Sequence, residues 1–326
     1  MTESEPSRPE WLFDTLRFEP ALPRSLKSLF QTRRIEDDGD LVPARGEFPE
    51  NLSVVTLTLN EEACLAQALD SVSGSRDIVV VDAGSTDKTV AIAESLGARV
   101  ITHAFLSSAA QRQWVLENVE FQNPWVWILD ADEWVTIALA RELRNALPVL
   151  TADGTSAGWA RFRVIYQGRW IPRASLYPTW TMRLIRLGRV RYEDRVANAV
   201  PDAQGKTVRL RNDVIHEDLK PFARRFPKLD RYAKLEAIET QRVAQAPLLS
   251  IRRASSFRRK AKIVWMVLPG RSLIRATYLA LRGGMFEGKA GWHFIEDSYF
   301  QERMTVRYLR ELRKSSSSNL RAKSEP

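Results

Sequence analysis

Between Leu52 and about residue 147, short apolar runs alternate with stretches whose apolar residues recur at helical spacing. Leu52–Leu59 (LSVVTLTL) predicts a strand, and Leu65, Ala68, Leu69 and Val72 then fall on one stripe of a helix. Asp77–Val81 predicts a second buried strand. The loop Asp82–Asp87 follows, where Ser85 or Thr86 can cap a helix over about Asp87–Leu96 that stops at Gly97. Ala98–Thr102 predicts a third strand, Ser107–Val119 a third helix, and Trp125–Leu129 a fourth strand. Strands this short and this apolar are buried on both faces, as in a parallel sheet. Few-residue connections between alternating strands and helices make this a doubly wound α/β fold.

The pattern is looser elsewhere. Residues 1–50 form an extension, expected to be partly disordered, with one short helix around Arg24–Gln31. An α/β domain occupies 51–218, in halves 51–147 and 148–218, and Arg183–Tyr192 reads as two short strands about Leu187–Gly188. From Pro221 the chain is mainly helical, with one helix to about Val243 and segments from about Ile251, Arg271 and Gly291. This helical region spans 219–313, and the serine-rich stretch 314–326 is expected to be a disordered tail.

The apolar run Trp125–Leu129 ends abruptly in Asp130, Asp132 and Glu133. Its end lies at the carboxyl edge of the sheet, where open α/β proteins bind ligands. In extended geometry Asp130 and Asp132 point to one side, and two carboxylates held there call for a divalent cation or ligand hydroxyls. Glu61, its neighbour Glu62, and Asp82 end the first two strands on the same edge. No G-x-G-x-x-G follows the first strand and no G-x-x-x-x-G-K-[ST] occurs, so dinucleotide and P-loop chemistries lack their usual signatures. A cleft lined by acids holds a diphosphate only through a metal, which describes a metal-bridged nucleotide diphosphate.

Composition adds three constraints. One cysteine, Cys64, permits no internal disulfide and fits a reducing compartment. MTESEPSRPEWLFD lacks the basic start and apolar core of a secretory leader, and no apolar run reaches the length of a membrane span. A cytoplasmic location is therefore expected, peripheral on the inner face of the membrane. The net charge of +9 is uneven: Pro221–Arg282 carries 15 Lys and Arg against three acids. Arginines interleaved there with Trp265, Ile274 and Tyr278 suit an anionic membrane surface or a phosphorylated acceptor. Nucleic acid is not expected, because the region carries no recognisable binding motif and the cleft is acidic.

LSVVTLTLNEEACLAQALDSV, IVVVDAGSTDKTVAIAESLGARV and WILDADEWV resemble the nucleotide-binding half of family 2 glycosyltransferases, which have the GT-A fold. YPTWTMRLIRLGRVRYEDRV and VIHEDLKPFARRFPKLDRYAKLEA resemble the subgroup with bacterial lipopolysaccharide-core β-glucosyltransferases. The resemblance covers roughly residues 52–300. It implies a Rossmann-like, mostly parallel sheet flanked by helices, and an inverting, metal-dependent sugar transfer. The donor would be a nucleotide sugar, with a UDP-sugar expected, and the acceptor a glycolipid or polysaccharide. It places Glu61, Asp82, Arg112 and Asp130 on the donor, and Asp132 on Mg²⁺ or Mn²⁺. Asp194 is the candidate base, with Glu193 as its rival and His216-Glu217-Asp218 as an alternative site. Trp159, Trp170, Tyr177 and Trp180 suit either a sugar face or a core.

Two departures stand out. Relatives often have His-Glu where this chain has Ala197-Asn198, and an acid where it has Thr179. They leave open a second reading, a catalytically impaired GT-A module that binds nucleotide sugar or partners at a membrane.

Overall fold

The central strand of the fold is β1, Ser53–Thr58, paired in parallel on one side with β2 (Ile78–Asp82) and on the other with β4 (Trp125–Asp130). With parallel neighbours on both edges and helices over both faces, its residues need apolar side chains in both directions. Val54 and Val55 are accordingly buried on opposite sides. The computed structural model describes residues 41–193, 199–220, 222–245 and 257–322. The expected helix at Arg24–Gln31 and the candidate base Asp194 lie outside them.

The chain divides after Leu219 into two compact units. In the first, the elements follow the predicted alternation: α1 (Leu65–Asp70), α2 (Thr89–Ser95), β3 (Arg99–Thr102) and α3 (Ser108–Asn118) fill the gaps before β4. The short β5 (Glu133–Val135) and the amphipathic α4 (Ile137–Ala152) come next. The sheet order begins β3-β2-β1-β4, so the chain reverses direction across the sheet between β1 and β4. That reversal splays the following loops apart and opens a crevice at the carboxyl edge.

Beyond β4 the sheet becomes mixed. β8 (Thr179–Arg186) runs antiparallel to β4 and to β6 (Ala157–Tyr166), and β6 lies parallel to β11 (Thr207–Glu217). β7 (Arg169–Trp170) extends β6, while β9 (Val190–Tyr192) and β10 (Pro201–Ala203) form a separate ribbon. β11 closes the path by pairing antiparallel with β5. The predicted strands about Leu187–Gly188 are thus present but do not pair with each other. The main core lies between the sheet and α4, with Trp127, Leu129, Leu139, Leu143 and Leu184 fully buried.

In the second unit α5 (Phe222–Gln245) packs along α8 (Gly288–Ala322), through a Phe226–Phe300 ring contact at 5.3 Å and a Tyr308–Asp230 hydrogen bond. Between them in sequence come α6 (Phe257–Val267) and α7 (Arg271–Leu281). α8 runs on to Ala322, into the stretch from residue 314 expected to be a tail; a helix already propagating adds residues at little cost.

Gly74 marks a close backbone approach, where a Cβ would stand 2.3 Å from the Phe48 carbonyl oxygen. Because the obstruction is backbone, Gly74→Ala should destabilise the fold by about 1–3 kcal/mol. Urea denaturation would measure this, and an unchanged midpoint would contradict the close approach.

Candidate active site

The loops after β1 and β2 are laced together. Asn60, at φ +56°, donates its backbone N–H to Ser85 Oγ (2.8 Å) and accepts the Thr86 N–H on its side chain (2.9 Å). The Glu61 N–H donates to Thr89 Oγ1, and the Glu62 carboxylate accepts the Lys88 N–H. The predicted cap of α2 is corrected. Asp87, not Ser85 or Thr86, accepts the Thr89 N–H at 2.9 Å, while Ser85 is engaged by the neighbouring loop.

Asp82 is buried, and its carboxylate accepts from Thr58 Oγ1, Ser85 Oγ, the Gly84 N–H and the Ser85 N–H, at 2.5–2.9 Å. A carboxylate offers about four lone-pair sites. The carboxylate therefore shapes the loop, and a nucleotide base reaching it must displace the Ser85 hydroxyl. Glu61, after the end of β1, is also buried.

At the end of β4, Asp130 lies between two guanidinium groups. Arg112 Nη2, from α3, is 2.5 Å from Oδ1, and Arg183 Nη2, from β8, is 2.5 Å from Oδ2. Arg112 is therefore a cleft residue rather than a solvated helix arginine. The same Arg183 nitrogen also meets Glu133 Oε1 at 2.5 Å. Arg183 is 5% exposed and Glu133 1%, so each depends on the other for a charge partner. Burial pushes the Asp130 carboxyl up, but Arg112 and Arg183 outweigh it and hold Asp130 at about 2. Burial pushes Glu133 up to about 7 against the pull of Arg183. Asp130 and Glu133 together hold Arg183 well above the usual arginine value, although burial works the other way.

Arg183 reaches these acids because β8 bulges there. Leu184 pairs with Gly158 and Met182 with Trp159, so Arg183 is the extra residue in the ladder. A bulge re-aims a side chain that strict alternation would place elsewhere.

Asp132 is set apart from Asp130 by a turn at Ala131–Asp132, so the extended geometry predicted for the pair does not continue. The β5–β11 ladder instead puts His216 opposite Glu133, and the Glu217 N–H donates to the Asp132 carbonyl at 2.8 Å. His216 Nδ1 thereby stands 3.5 Å from Asp132 Oδ1. Among the described residues no cluster of three or more His, Cys, Asp or Glu is arranged to hold a metal. The donor set is thus one carboxylate and one imidazole, because Asp130 is spent on two arginines. A carboxylate beside an imidazole could take up a divalent cation completed by phosphate and water oxygens, Mn²⁺ more readily than Mg²⁺, whose ligands are oxygens.

In the second half of the domain, β9 is tied to α3 through the Tyr192 N–H to Gln113 Oε1 (2.7 Å), and the Glu193 N–H donates to the Val200 carbonyl. Burial pushes the Tyr192 phenol up while Arg112 and Arg183 draw it down. The four aromatic residues divide. Trp159 packs into a core cluster, whereas Trp170, Tyr177 and Trp180 join Arg161 and Arg163 around the buried Asp213. Thr179, in the position where relatives often carry an acid, is exposed and bonds the Ser175 and Leu176 carbonyls.

The family model for glycosyl transferase family 2 matches residues 53–216, half of the chain. The chain belongs to glycosyltransferase family 2. Its mixed sheet and flanking helices are the GT-A fold of that family. Similar relatives include the lipopolysaccharide core biosynthesis glycosyltransferase LpsC of Rhizobium meliloti (strain 1021), 34% identical over 149 residues, which are 44% of this chain and 53% of that one. An uncharacterized glycosyltransferase of Rickettsia bellii (strain RML369-C) is 34% identical over 116 residues, 35% of this chain and 37% of that one. The chain thus spans about half or less of these relatives. Among solved structures, S. aureus TarS is similar at 14% identity and TM-score 0.39, over 76% of this chain and 55% of that one. Glucosyl-3-phosphoglycerate synthase from Mycobacterium tuberculosis, solved with Mn²⁺, uridine-diphosphate-glucose and phosphoglyceric acid, is similar at 26% identity and TM-score 0.29, over 35% of this chain and 44% of that one.

In this family 2 chain, sequence reasoning left Arg183 out of the site and named His216 only as part of an alternative site. Arg183 carried one usable signal: an arginine between Met182 and Leu184 in a strand is buried only if paired. His216 is a lone histidine until β11 meets β5. Arg183→Met should destabilise the fold by about 3–5 kcal/mol, because it strands Glu133 and half of the Asp130 pairing. Arg183→Lys should recover only part of that, since an ammonium lacks the fork that bridges two acids. Urea unfolding would separate the three proteins. The Glu133 carboxyl binds its proton more tightly folded, at about 7, than at its ordinary 4.5. Stability in EDTA should therefore fall as pH rises through that window, and Glu133→Gln should flatten the fall.

Proposed function

We propose that this chain is an inverting, divalent-cation-dependent glycosyltransferase. It would move a sugar from a nucleotide-diphosphate donor, with a UDP-sugar expected, to a lipid-linked or lipopolysaccharide-type glycan at the inner face of the cytoplasmic membrane. The observation that carries this reading is the pairing of Asp132 with His216 beside an Asp130 whose charge is already neutralised. The two acids have different surroundings: Asp130 is bound to two arginines and Asp132 stands against an imidazole. In this reading Asp132 and His216 hold Mg²⁺ or Mn²⁺. The bound cation supplies Lewis-acid neutralisation of the departing diphosphate.

The chain's own residues account for the rest. Arg112, bound to Asp130, carries a guanidinium suited to a phosphate oxygen of the donor. Glu61 and the Asp82 loop line the nucleoside end, where Asp82 acts chiefly by fixing Gly84 and Ser85. Asp194, with Glu193 as rival, takes the proton from the acceptor hydroxyl as that oxygen attacks the anomeric carbon opposite the leaving diphosphate, which inverts its configuration. The name of the LpsC relative supports a lipopolysaccharide-type acceptor.

Sugar-nucleotide turnover with and without Mn²⁺ tests the reading. Asp132→Asn should lower kcat/KM by on the order of 100-fold or more, and His216→Ala should raise the Mn²⁺ concentration needed for half-maximal turnover. Full Mn²⁺-dependent turnover in both variants would remove the cation from this pair. Asp194→Ala with donor binding retained and transfer lost would separate Asp194 from Glu193.

A further inference from the structure

α7 has two apolar faces, and the fold uses one of them. Ala276 and Leu279 are buried, and Arg271 beside them is anchored to α8 by an ion pair with Glu302 at 2.9 Å. Leu273, Ile274, Tyr278 and Leu281 point the other way and are 65%, 44%, 48% and 79% exposed. A helix packed on one side normally presents polar residues outward. The preceding helix repeats the anomaly. In α6 Met266 is buried, while Val264 and Val267, with Leu268 just past the helix, are exposed at i, i+3, i+4 spacing. The two helices are joined by the exposed Pro269–Gly270 turn, where Gly270 takes φ +71°.

The concentration is what matters. Among the described residues thirteen large hydrophobic side chains are exposed, and seven of them lie between Val264 and Leu281. Scattered exposed apolar residues are ordinary, but a contiguous patch signals a binding surface. Its charge selects the partner. From Phe257 to Arg282 there are seven Lys and Arg and no acid, and of these Arg271 is turned inward to Glu302. Two copies of such a face would repel each other, and an acidic protein groove would leave the outermost leucines without an apolar counterpart. A layer with anionic groups above hydrocarbon satisfies both features at once. Each helix is 11 residues long, about 16 Å at 1.5 Å per residue. That is half the thickness of a bilayer core of about 30 Å, so the hairpin lies in the interface and does not cross.

We propose that the α6–α7 hairpin docks on an anionic phospholipid bilayer, with Leu273, Ile274, Tyr278 and Leu281 entering the head-group boundary and Lys260 and Arg282 meeting lipid phosphates. This deepens the membrane-proximal part of the function proposed above. Full-length protein is sedimented with phosphatidylcholine vesicles with or without 30% phosphatidylglycerol, about a third anionic lipid. Wild type should bind the anionic vesicles, bind them less as salt rises, and leave the neutral ones largely unbound. Leu273→Glu with Leu281→Glu should weaken binding at least tenfold, and Lys260→Gln with Arg282→Gln roughly fivefold per residue. Both pairs should keep wild-type circular dichroism and Mn²⁺-dependent donor turnover. Equal binding to neutral vesicles, or unchanged binding in the Leu pair, overturns the proposal. So does a wild-type dimer in sedimentation velocity that the Leu pair dissolves, which would assign the face to a second copy. Absent turnover in a wild type that still binds vesicles would instead count against the glycosyltransferase reading and leave the docking surface standing.

Discussion

A guanidinium taken out of water costs several kcal/mol unless opposite charge meets it at close range, and the crevice of this protein is built around that requirement. Arg183 comes from the middle of the sheet with solvent nearly excluded, and its two acids arrive from the end of β4 and the start of β5. Meeting it fixes the position of Asp130, keeps Asp130 ionised, and leaves the neighbouring Asp132 to a different partner. Arg112 completes the arrangement from α3. The loops lining the crevice therefore meet a wall whose charges are already set before any ligand arrives, which reduces the reorganisation that binding demands.

The loops are fixed as firmly, by neutral means. Between the first two strand ends Asn60 donates to Ser85 and accepts from Thr86, and Asp82 gathers the Ser85 hydroxyl and two backbone N–H groups into one carboxylate. One side of the crevice is thus organised by hydrogen bonds to backbone and the other by ion pairs. The acidic residues that share this edge do not share a role. Asp82 builds a loop, Asp130 balances arginines, and Asp132 faces an imidazole.

The sheet's first half was legible because each of its strands is buried on both faces and each helix carries one apolar stripe, so period and burial agree. Strand ends rich in acids were legible for the same reason, since the topology alone sends β1, β2 and β4 to one edge. Arg183 was not, because a bulge breaks the alternation from which a side chain's direction is inferred. His216 was legible only as part of an alternative site, because its place opposite Glu133 depends on a ladder between strands some 80 residues apart, and local pattern carries no information about such pairings. The Asp87 cap was missed through a competition: Ser85 and Thr86 are equally good capping residues, but Asn60 engages both from the neighbouring loop.

The return of β11 to β5 has a further consequence. Everything from α4 to the start of β11 is an excursion that leaves the crevice at Val135 and comes back to it at Val214, directly across the ladder. The excursion contributes Arg183 through β8 and the core helix α4, while its connecting loops lie outside the β5–β11 ladder. Such a layout lets those loops lengthen, shorten or be exchanged between relatives while the Asp132–His216 pair stays in register. The ladder, rather than the length of what lies between, keeps that pair together, so the site depends on Val135 and Val214 meeting across it.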